Sequence, residues 1–355
     1  MNADLNNVMT ASRMGSLLRC PRAHYWQYEV GLRKDSTGLA LRVGSAWHRA
    51  MEARWRGADY DAALAAALPE GIDLDAYDCA TVAGLLAGYY RCYGDVETVG
   101  TLQPEVEFTL PLVGSRTFAV SGKIDGLGSL KDGRTVLIEA KTTSDSLAPE
   151  SEYWMRLRFN SQVYQYFLAA QHFGWNLGEV LYDVTRKPSI RPKQIADLDS
   201  NGCKIVLDAQ GQRVFKANGK PRETADHEHG YVVRSHIETP DEFNARLTED
   251  CCARPDFYYA RREVAVLNED LEEFQSQRLT LGRTILHCRQ EEKRFDRPER
   301  AWPRAVSESN CQYCSYQSFC LQNLSVDLNT PPEGFSIQAF NPELTDTSII
   351  EPATP

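Results

Sequence analysis

The sequence lacks any long run of apolar residues. Its most apolar stretches are interrupted by charged side chains, whereas a membrane-spanning helix needs about 20 consecutive, mainly apolar residues. The first residues, MNADLNNVMTASRMG, also lack the basic and then apolar layout of a secretory signal. These absences predict a cytoplasmic protein with no membrane partner.

Motifs that mark other functional classes are missing as well. The chain has no Walker A phosphate-binding loop and no glycine-rich dinucleotide fingerprint. A built-in helicase motor and a nucleotide cofactor are therefore not supported. The sequence shows no internal repeat either.

The chain also lacks the excess of basic residues that is typical of general nucleic-acid binders. Its 355 residues include 39 Lys and Arg against 49 Asp and Glu, for a net charge of −10. The distribution is uneven, because residues 13–56 contain nine bases and three acids, and residues 182–193 contain four bases and one acid. The pattern is compatible with a basic working surface on an acidic body.

Apolar periodicity predicts helices at both ends of the chain and strands in its middle. Helices are expected over 12–30, 41–56, 75–93, 152–173 and 268–293. Another helix is expected to begin at Thr239, where a capping box has proline at the first helical position. Strands are expected over 105–113, 116–130, 134–143 and 178–187, in a sheet of about four or five strands. The second and third of these should pair antiparallel through an Asp-Gly turn.

Two charged residues occupy an otherwise apolar strand. Glu139 and Lys141 are two residues apart, so they point to the same face, and the apolar run 136–138 predicts a buried strand. A buried carboxylate and ammonium are unfavourable unless they have a partner or a task. The neighbouring strand would bring Asp125 to the same place, and two carboxylates with phosphate oxygens are usual ligands of Mg²⁺ or Mn²⁺. Taken alone, the Glu-x-Lys pattern also fits a structural ion pair.

The wider set of motifs resembles the PD-(D/E)xK nuclease superfamily, in particular its RecB/AddB/Cas4-like exonuclease branch. The matching segments span residues 44–166 in the family's order: Gly44-Ser-Ala-Trp-His48, Gly122-Lys-Ile-Asp125, Ile138-Glu-Ala-Lys-Thr142 and Gln162-Val-Tyr-Gln-Tyr166. Two departures are mild: Glu139 stands where many members have Asp, and no proline precedes Asp125.

The resemblance implies a restriction-endonuclease-like α/β fold, with a mixed central sheet flanked by helices. It implies that His48, Asp125 and Glu139 bind the metal and that Lys141 is the catalytic lysine. It also implies that Gln162 and Tyr166, which share a helix face, line the active site beside the DNA backbone. Without the resemblance, a half-buried helix face would be the preferred interpretation of this pair.

Three of the ten cysteines, Cys311, Cys314 and Cys320, lie within ten residues of one another. Thiolates at this spacing are able to ligate zinc or an iron–sulfur cluster, but a fourth ligand is missing locally. In the nucleases that the chain resembles, an upstream cysteine before a proline completes a [4Fe–4S] cluster, and Cys20 matches it. The resemblance thus implies a cluster that joins the N- and C-terminal segments. Structural zinc is the alternative, with His24 as a further candidate ligand.

Several basic and aromatic side chains are candidates for substrate contacts. The bases that follow the strand over 178–187 are candidate phosphate contacts, which would position DNA without reading its sequence: Arg186, Lys187, Arg191 and Lys193. Tyr25, Trp26 and Tyr28 are candidates for stacking on unpaired bases, although aromatic residues at this spacing are more often core residues.

These observations predict one nuclease domain over residues 1–324, followed by an acidic, proline-containing, irregular tail over 325–355. Within the domain we expect a catalytic core at about 40–187, a polar insertion with a hairpin at about 188–238, and a helical, cluster-binding region at 239–324. The predicted function is metal-dependent hydrolysis of phosphodiester bonds in DNA. An exonuclease or a nuclease of single strands or flaps is favoured.

The resemblance implies a bacterial or phage-encoded enzyme of recombination, repair, or phage or CRISPR-related DNA processing. Its expected partners are single-stranded DNA or duplex ends, and other recombination or phage proteins. One alternative is a non-catalytic DNA-binding or scaffold subunit of a larger DNA-processing complex. Another is a zinc-stabilised binding module in which the Glu-x-Lys pair is incidental.

Overall fold

A computed structural model describes residues 7–35, 38–94, 99–324, 326–327 and 329–338. The strands in chain order are β1 (Val8–Met9), β2 (Leu32–Lys34), β3 (Val99–Pro111), β4 (Ala119–Leu130), β5 (Thr135–Thr143), β6 (Glu179–Arg186), β7 (Gln194–Ala196), β8 (Val206–Leu207), β9 (Val232–Val233), β10 (Ser235–Ile237), β11 (Tyr259–Ala265) and β12 (Phe335–Ile337).

The α-helices are α1 (Ala11–Arg19), α2 (Pro21–His24), α3 (Leu39–Trp55), α4 (Tyr60–Ala67), α5 (Ala76–Tyr93), α6 (Glu152–Leu157), α7 (Ser161–His172), α8 (Pro240–Ala253), α9 (Pro255–Tyr258), α10 (Asn268–Glu291), α11 (Glu308–Cys311) and α12 (Gln317–Leu321). Within the described ranges, every helix is too short or too polar to cross a bilayer.

The central sheet is mixed and has six strands. Its order is β1-β4-β5-β6-β11, and β3 pairs with β4 as well. β5 and β6 are parallel, whereas β3 with β4, β4 with β5, and β6 with β11 are antiparallel. The predicted α/β fold with a mixed sheet between helices is therefore confirmed. The expected strand number was too low, because β1 has only two residues and the charged β11 does not alternate as a half-buried strand does.

The sheet separates two apolar cores. On one face, Phe167 of α7 and Leu281 of α10 pack with Leu137 of β5. On the other face, Trp47 of α3 and Leu247 of α8 belong to a second cluster with residues of α5. Because side chains alternate along a strand, β5 presents Leu137 and Glu139 to the first face and Ala140 to the second. The charged pair of the sequence motif thus points into the layer that contains α7.

Two predicted helices are interrupted. The helix expected over 12–30 breaks at Cys20, which is extended (φ −163°, ψ 108°) because Pro21 restricts the residue before it. The chain then continues through α2 and a π-helix over Tyr25–Glu29. The helix expected over 152–173 is divided into α6 and α7, and Asn160 caps the second part. The capping box predicted at Thr239 is confirmed at the start of α8.

The insertion forms an arm over residues 194–237, in which β7 pairs with β10 and β8 pairs with β9. The chain between β7 and β9 contains three turns of the same form. They are closed by the bridges Leu198↔Lys204, Leu207↔Arg213 and Phe215↔Pro221. Each contains a glycine in the left-handed region, with φ of 77°, 76° and 76° at Gly202, Gly211 and Gly219. This is a short internal repeat, so the statement that the sequence contains none was wrong. The first two turns also share a Leu-Asp start and a basic last residue, over 198–204 and 207–213, whereas the third begins with Phe215 and ends with Pro221.

The C-terminal tail is not wholly irregular. Phe335–Ile337 forms β12 and pairs antiparallel with β2, near the N-terminus. The prediction of an irregular tail was therefore wrong for these three residues. Residues 325, 328 and 339–355 of the predicted tail lie outside the described residues.

Candidate active site

The hairpin of β4 and β5 opens at the acidic residues. Its register runs from Ser129↔Thr135 to Gly126↔Ile138 and ends there. The next residue is Asp125 on β4 and Glu139 on β5. Both carboxylates therefore lie where the two strands separate. Asp125 spans the opening, because its Oδ2 accepts a hydrogen bond of 2.9 Å from the backbone N–H of Ala140. The separation of the two strands therefore creates the place in which the acidic motif residues meet.

Glu139 is fully buried, with 0% of its surface exposed. Its Oε1 accepts a hydrogen bond of 2.5 Å from Lys141 Nζ, whereas its Oε2 is buried and has no hydrogen-bond partner. Burial raises the pKa of Glu139 to about 7, although Lys141 acts in the opposite direction. A buried carboxylate oxygen without a donor is unfavourable and is rare in folded proteins.

His48 reaches the same opening from α3. Its Nδ1 lies 3.5 Å from Asp125 Oδ2, and its side chain is partly accessible to solvent. Burial lowers the pKa of His48, which favours the neutral imidazole that a metal ion binds. Burial also raises the pKa of Asp125 to about 6, against the effects of Lys141 and the Ala140 N–H.

Lys141 begins a chain of hydrogen bonds that leads to α7. Its Nζ donates to Gln162 Oε1 at 2.9 Å, and Gln162 Nε2 lies 2.8 Å from the hydroxyl of Tyr166. Burial alone would lower the pKa of Lys141, but the ion pair with Glu139 raises it, so the ammonium form is retained. The predicted helix face of Gln162 and Tyr166 is therefore adjacent to the lysine, although the catalytic roles of these residues remain predictions.

Gly122 leaves room for this arrangement. A Cβ atom at Gly122 would lie 3.0 Å from the rings of both Phe108 and Tyr166. Those two rings pack edge to face, with their centroids 6.0 Å apart. Any other residue at Gly122 would require these rings to shift by a few tenths of an ångström. Close packing thus gives a physical reason for the glycine of the sequence motif.

The carboxylates are the residues that could hold a cation. Among the described residues, no group of three or more His, Cys, Asp or Glu side chains is already arranged as a metal site. Glu139 Oε2 nevertheless has no hydrogen-bond partner, and the charges of Asp125 and His48 both affect the pKa of Glu139. This donor set suits Mg²⁺ or Mn²⁺, which bind carboxylate oxygens and complete their coordination with water or phosphate.

Some residues near the site were not selected from the sequence. Tyr182 stands opposite Glu139 in the parallel register, and its hydroxyl donates to Leu157 O at 2.8 Å. Lys123 shares the Asp125 face of β4 and forms an ion pair with Glu105, which has a positive φ of 59°. The alternation of side chains along β4 could have placed Lys123 on the same face as Asp125. Tyr182 gave none, because it lies in an apolar strand.

The candidate phosphate contacts occupy two regions. Arg186 is in register with Thr143 at the end of β5, two residues beyond Lys141, and its guanidinium lies over the ring of Phe257 at 4.1 Å. Burial lowers the pKa of the adjacent Lys187. Arg191 and Lys193 are exposed at the base of the arm. Binding of phosphate by these four bases remains a prediction.

The aromatic residues chosen for base stacking are core residues. Tyr25, Trp26 and Tyr28 are 8%, 4% and 1% exposed. Trp26 packs against Phe319, and Tyr25 packs against Trp302. Tyr28 packs on His24. The core interpretation, which is the more common one for aromatic residues at this spacing, therefore holds, and the candidate role in base stacking does not.

The four motif cysteines come from neighbouring segments and are half-buried free thiols. Asn310 Nδ2 donates to Arg19 O at 3.1 Å, which fixes α11 beside the residue that precedes Cys20. Burial raises the pKa values of Cys314 and Cys320, and the charge of Cys20 contributes to both shifts. The two ends of the predicted domain are therefore adjacent at these thiols.

His24 is not available as a zinc ligand. It is fully buried, its Nδ1 lies 3.3 Å from Arg13 O, and its Nε2 lies 3.4 Å from Glu29 Oε1. The ring also stacks on Trp302. The prediction that His24 replaces a cysteine at a zinc site was therefore wrong, because both ring nitrogens face other groups.

One comparison with known proteins identifies the family of the chain. The family model for the PD-(D/E)XK nuclease superfamily matches residues 8–321. The crystal structure of SSO0001 is similar at 10% identity and a TM-score of 0.32, over 90% of this chain and 88% of that chain. A TM-score of this size carries no argument about fold or function. No curated protein matches the chain.

We expect Mn²⁺ to stabilise the wild-type protein and Asp125→Asn to remove this effect. Saturation to a hundred times Kd would contribute about 2.7 kcal/mol to the free energy of unfolding. The raised pKa values of Asp125 and Glu139 mean that protons compete with the metal, so the effect should be smaller at pH 6 than at pH 8. Thermal unfolding of EDTA-treated protein with and without MnCl₂ measures it.

Asp132→Asn is the matched control, because Asp132 is exposed in the turn of the same hairpin. It should keep the full Mn²⁺ effect. An equal increase of Tm in Asp125→Asn and wild type would contradict metal binding at Asp125.

Proposed function

The chain belongs to the PD-(D/E)XK nuclease superfamily, and we propose that it is a Mg²⁺- or Mn²⁺-dependent deoxyribonuclease. The observation that carries this proposal is the meeting of Asp125, Glu139 and Lys141 where β4 and β5 separate. Membership of the superfamily gives the coarse activity, a nuclease that hydrolyses phosphodiester bonds. DNA as the substrate and the identity of the metal belong to the proposal.

Asp125 and Glu139 would hold the cation, with His48 as a third ligand. The bound metal would supply charge stabilisation at the phosphate and activation of water. The unused Oε2 of Glu139 supports this assignment, because a cation there would satisfy a buried acceptor. The neutral state that burial favours for His48 also fits a ligand role.

Lys141 would act on the phosphate as a fixed cation. Its ammonium group is held between Glu139 Oε1 and Gln162 Oε1, and the ion pair with Glu139 keeps it protonated. A preorganised cation stabilises the charge that develops in the transition state without a cost of reorganisation at that moment. Gln162 and Tyr166 would position Lys141, since burial keeps Tyr166 neutral and its hydroxyl holds the Gln162 amide.

We also propose membership of the RecB/AddB/Cas4-like branch, with a [4Fe–4S] cluster on Cys20, Cys311, Cys314 and Cys320. The support is that Cys20 is near enough for its charge to contribute to the pKa shifts of Cys314 and Cys320, although the described thiols are not gathered as a metal site in this structure. The cluster would join the segment after α1 to α11 and α12. Structural zinc on the same four thiols is the alternative.

The proposal also covers the division of the chain into domains and the biological role of the nuclease. We propose one nuclease domain over 1–324, because Trp302 and Tyr316 pack into the core that lies on the sheet. Part of the proposed tail, β12, pairs with β2 of this domain. An exonuclease or a nuclease of single strands or flaps in recombination, repair, or phage or CRISPR-related processing is the proposed role, within the cytoplasm of a bacterium.

The direct test is digestion of end-labelled single- and double-stranded DNA with Mg²⁺ or Mn²⁺. We expect cleavage by the wild type and a loss of about 100-fold or more in Lys141→Ala, because one preorganised charge at the reacting group contributes this much. Lys131→Ala, in the exposed turn of the same hairpin, is the control and should retain activity.

Folded wild type that cuts no DNA would contradict the proposal and favour the scaffold alternative. Equal cleavage by Lys141→Ala and Lys131→Ala would instead contradict the role of Lys141. The lengths of the labelled products also separate an exonuclease from an endonuclease.

The cluster is tested by iron and acid-labile sulfide analysis of protein purified without oxygen. We expect about four iron atoms and four sulfides per chain, and their loss in Cys20→Ser together with a lower Tm. Cys252→Ser is the matched control, because Cys252 is an exposed thiol of α8. Stoichiometric zinc without sulfide would contradict the cluster and favour structural zinc.

A further inference from the structure

We propose that Phe159, with Met155 one turn earlier, is a stacking platform for an unpaired base next to the scissile phosphate. The inference rests on the proposed nuclease function and specifies its substrate as DNA with unpaired nucleotides at the site of cleavage. It assigns to the segment between α6 and α7 the role that the sequence suggested for the buried aromatic residues of the π-helix.

The platform consists of apolar side chains that face solvent. Phe159 is 73% exposed and Met155 is 58% exposed. Single exposed apolar residues are common on proteins, but exposed apolar residues close together in the chain and near candidate reacting groups are typical of a binding surface. An aromatic face is attractive to every nucleobase, and a thioether packs well against aromatic rings.

The exposure is fixed by hydrogen bonds on both sides of Phe159. Leu157 O accepts from the Tyr182 hydroxyl at 2.8 Å, and Arg158 O accepts from the Tyr164 hydroxyl at 2.6 Å. Asn160 caps α7, with its Oδ1 accepting from the backbone N–H of Gln162 at 3.0 Å. The backbone is therefore held on both sides of Phe159, and an aromatic side chain has few torsions to order when it binds.

The same hydrogen bonds connect the platform to the reacting groups. Gln162, three residues after Phe159, contacts Lys141 Nζ at 2.9 Å. Three residues span at most about 10 Å, so a base on Phe159 belongs to a nucleotide close to the one whose phosphate Lys141 contacts. Tyr182, which holds the loop, stands opposite Glu139 in the sheet.

The loop between α6 and α7 has one exposed base, whereas Glu150 and Glu152 before it are exposed acids. Arg158 is exposed beside Phe159, and Arg156 is exposed and pairs with Asp145. An exposed base beside an aromatic ring is the combination with which proteins bind single strands, since the cation contacts phosphate and the ring stacks on the nucleobase. A paired base inside a duplex is already stacked on its neighbours and would have to be displaced first.

The first test measures the affinity for a single-stranded oligonucleotide by fluorescence anisotropy in EDTA, so that nothing is cleaved. We expect Phe159→Ala to weaken this affinity about tenfold and Phe159→Trp to retain it, because stacking depends on the ring. Affinity for a blunt duplex should change less than twofold. Phe295→Ala, which removes another exposed phenylalanine, should behave as wild type.

The second test uses an oligonucleotide series with one abasic site at each position near the cleavage point. One position should weaken binding by wild type about as much as Phe159→Ala does, and the same abasic site should have no further effect on that variant. Additive losses from the abasic site and the substitution would overturn the platform, because they would show that Phe159 does not contact that base.

The outcomes separate this inference from the proposed function. Wild type that cleaves DNA, together with a Phe159→Ala variant of unchanged single-strand affinity, overturns the platform alone. Wild type that neither binds nor cleaves nucleic acid overturns both. A loss of affinity in Phe159→Ala that Phe159→Trp does not restore contradicts stacking and points to a local change of structure, which thermal unfolding of the variants would reveal.

Discussion

The burial of Glu139 is the constraint on which the rest of the site depends. A carboxylate enclosed in the layer between the sheet and α7 loses the solvation that it would have in water, and this loss is only partly offset by Lys141. One oxygen is used by the lysine, and the other has no donor. Such an arrangement would lower the stability of the fold if the pair were only structural, whereas it suits a site that binds a cation.

The surroundings of Glu139 follow from that constraint. The hairpin register ends just before Asp125, which leaves the strands free to separate and admits a second carboxylate and His48. On the other side, Lys141 is held by Gln162, and Tyr182 connects the sheet beneath Glu139 to the segment before α7. Rigid groups around a desolvated charge are the usual means by which an active site is preorganised.

Periodicity was sufficient to predict the elements that carry the site. The strand of Asp125 alternates, the strand of Glu139 begins with the apolar run 136–138, and the helix of Gln162 has a clear apolar face. The sequence could not predict features that depend on tertiary contacts. Nothing in the sequence indicated that Phe159 is exposed, because that depends on the hydrogen bonds from Tyr182 and Tyr164 that hold its segment. The sequence also did not reveal the π-helix that contains the buried Tyr28. β11 escaped notice since its charged residues resemble a loop.

The most direct test of the account is a crystal structure of the protein soaked in Mn²⁺, with the metal located by its anomalous scattering. The account predicts one strong peak at coordination distance, about 2.0–2.3 Å, from Glu139 Oε2 and a carboxylate oxygen of Asp125. Lys141 should remain hydrogen-bonded to Gln162. The absence of manganese between these carboxylates at a saturating concentration, with the hairpin opening intact, would contradict the claim that Glu139 is buried in order to bind a cation.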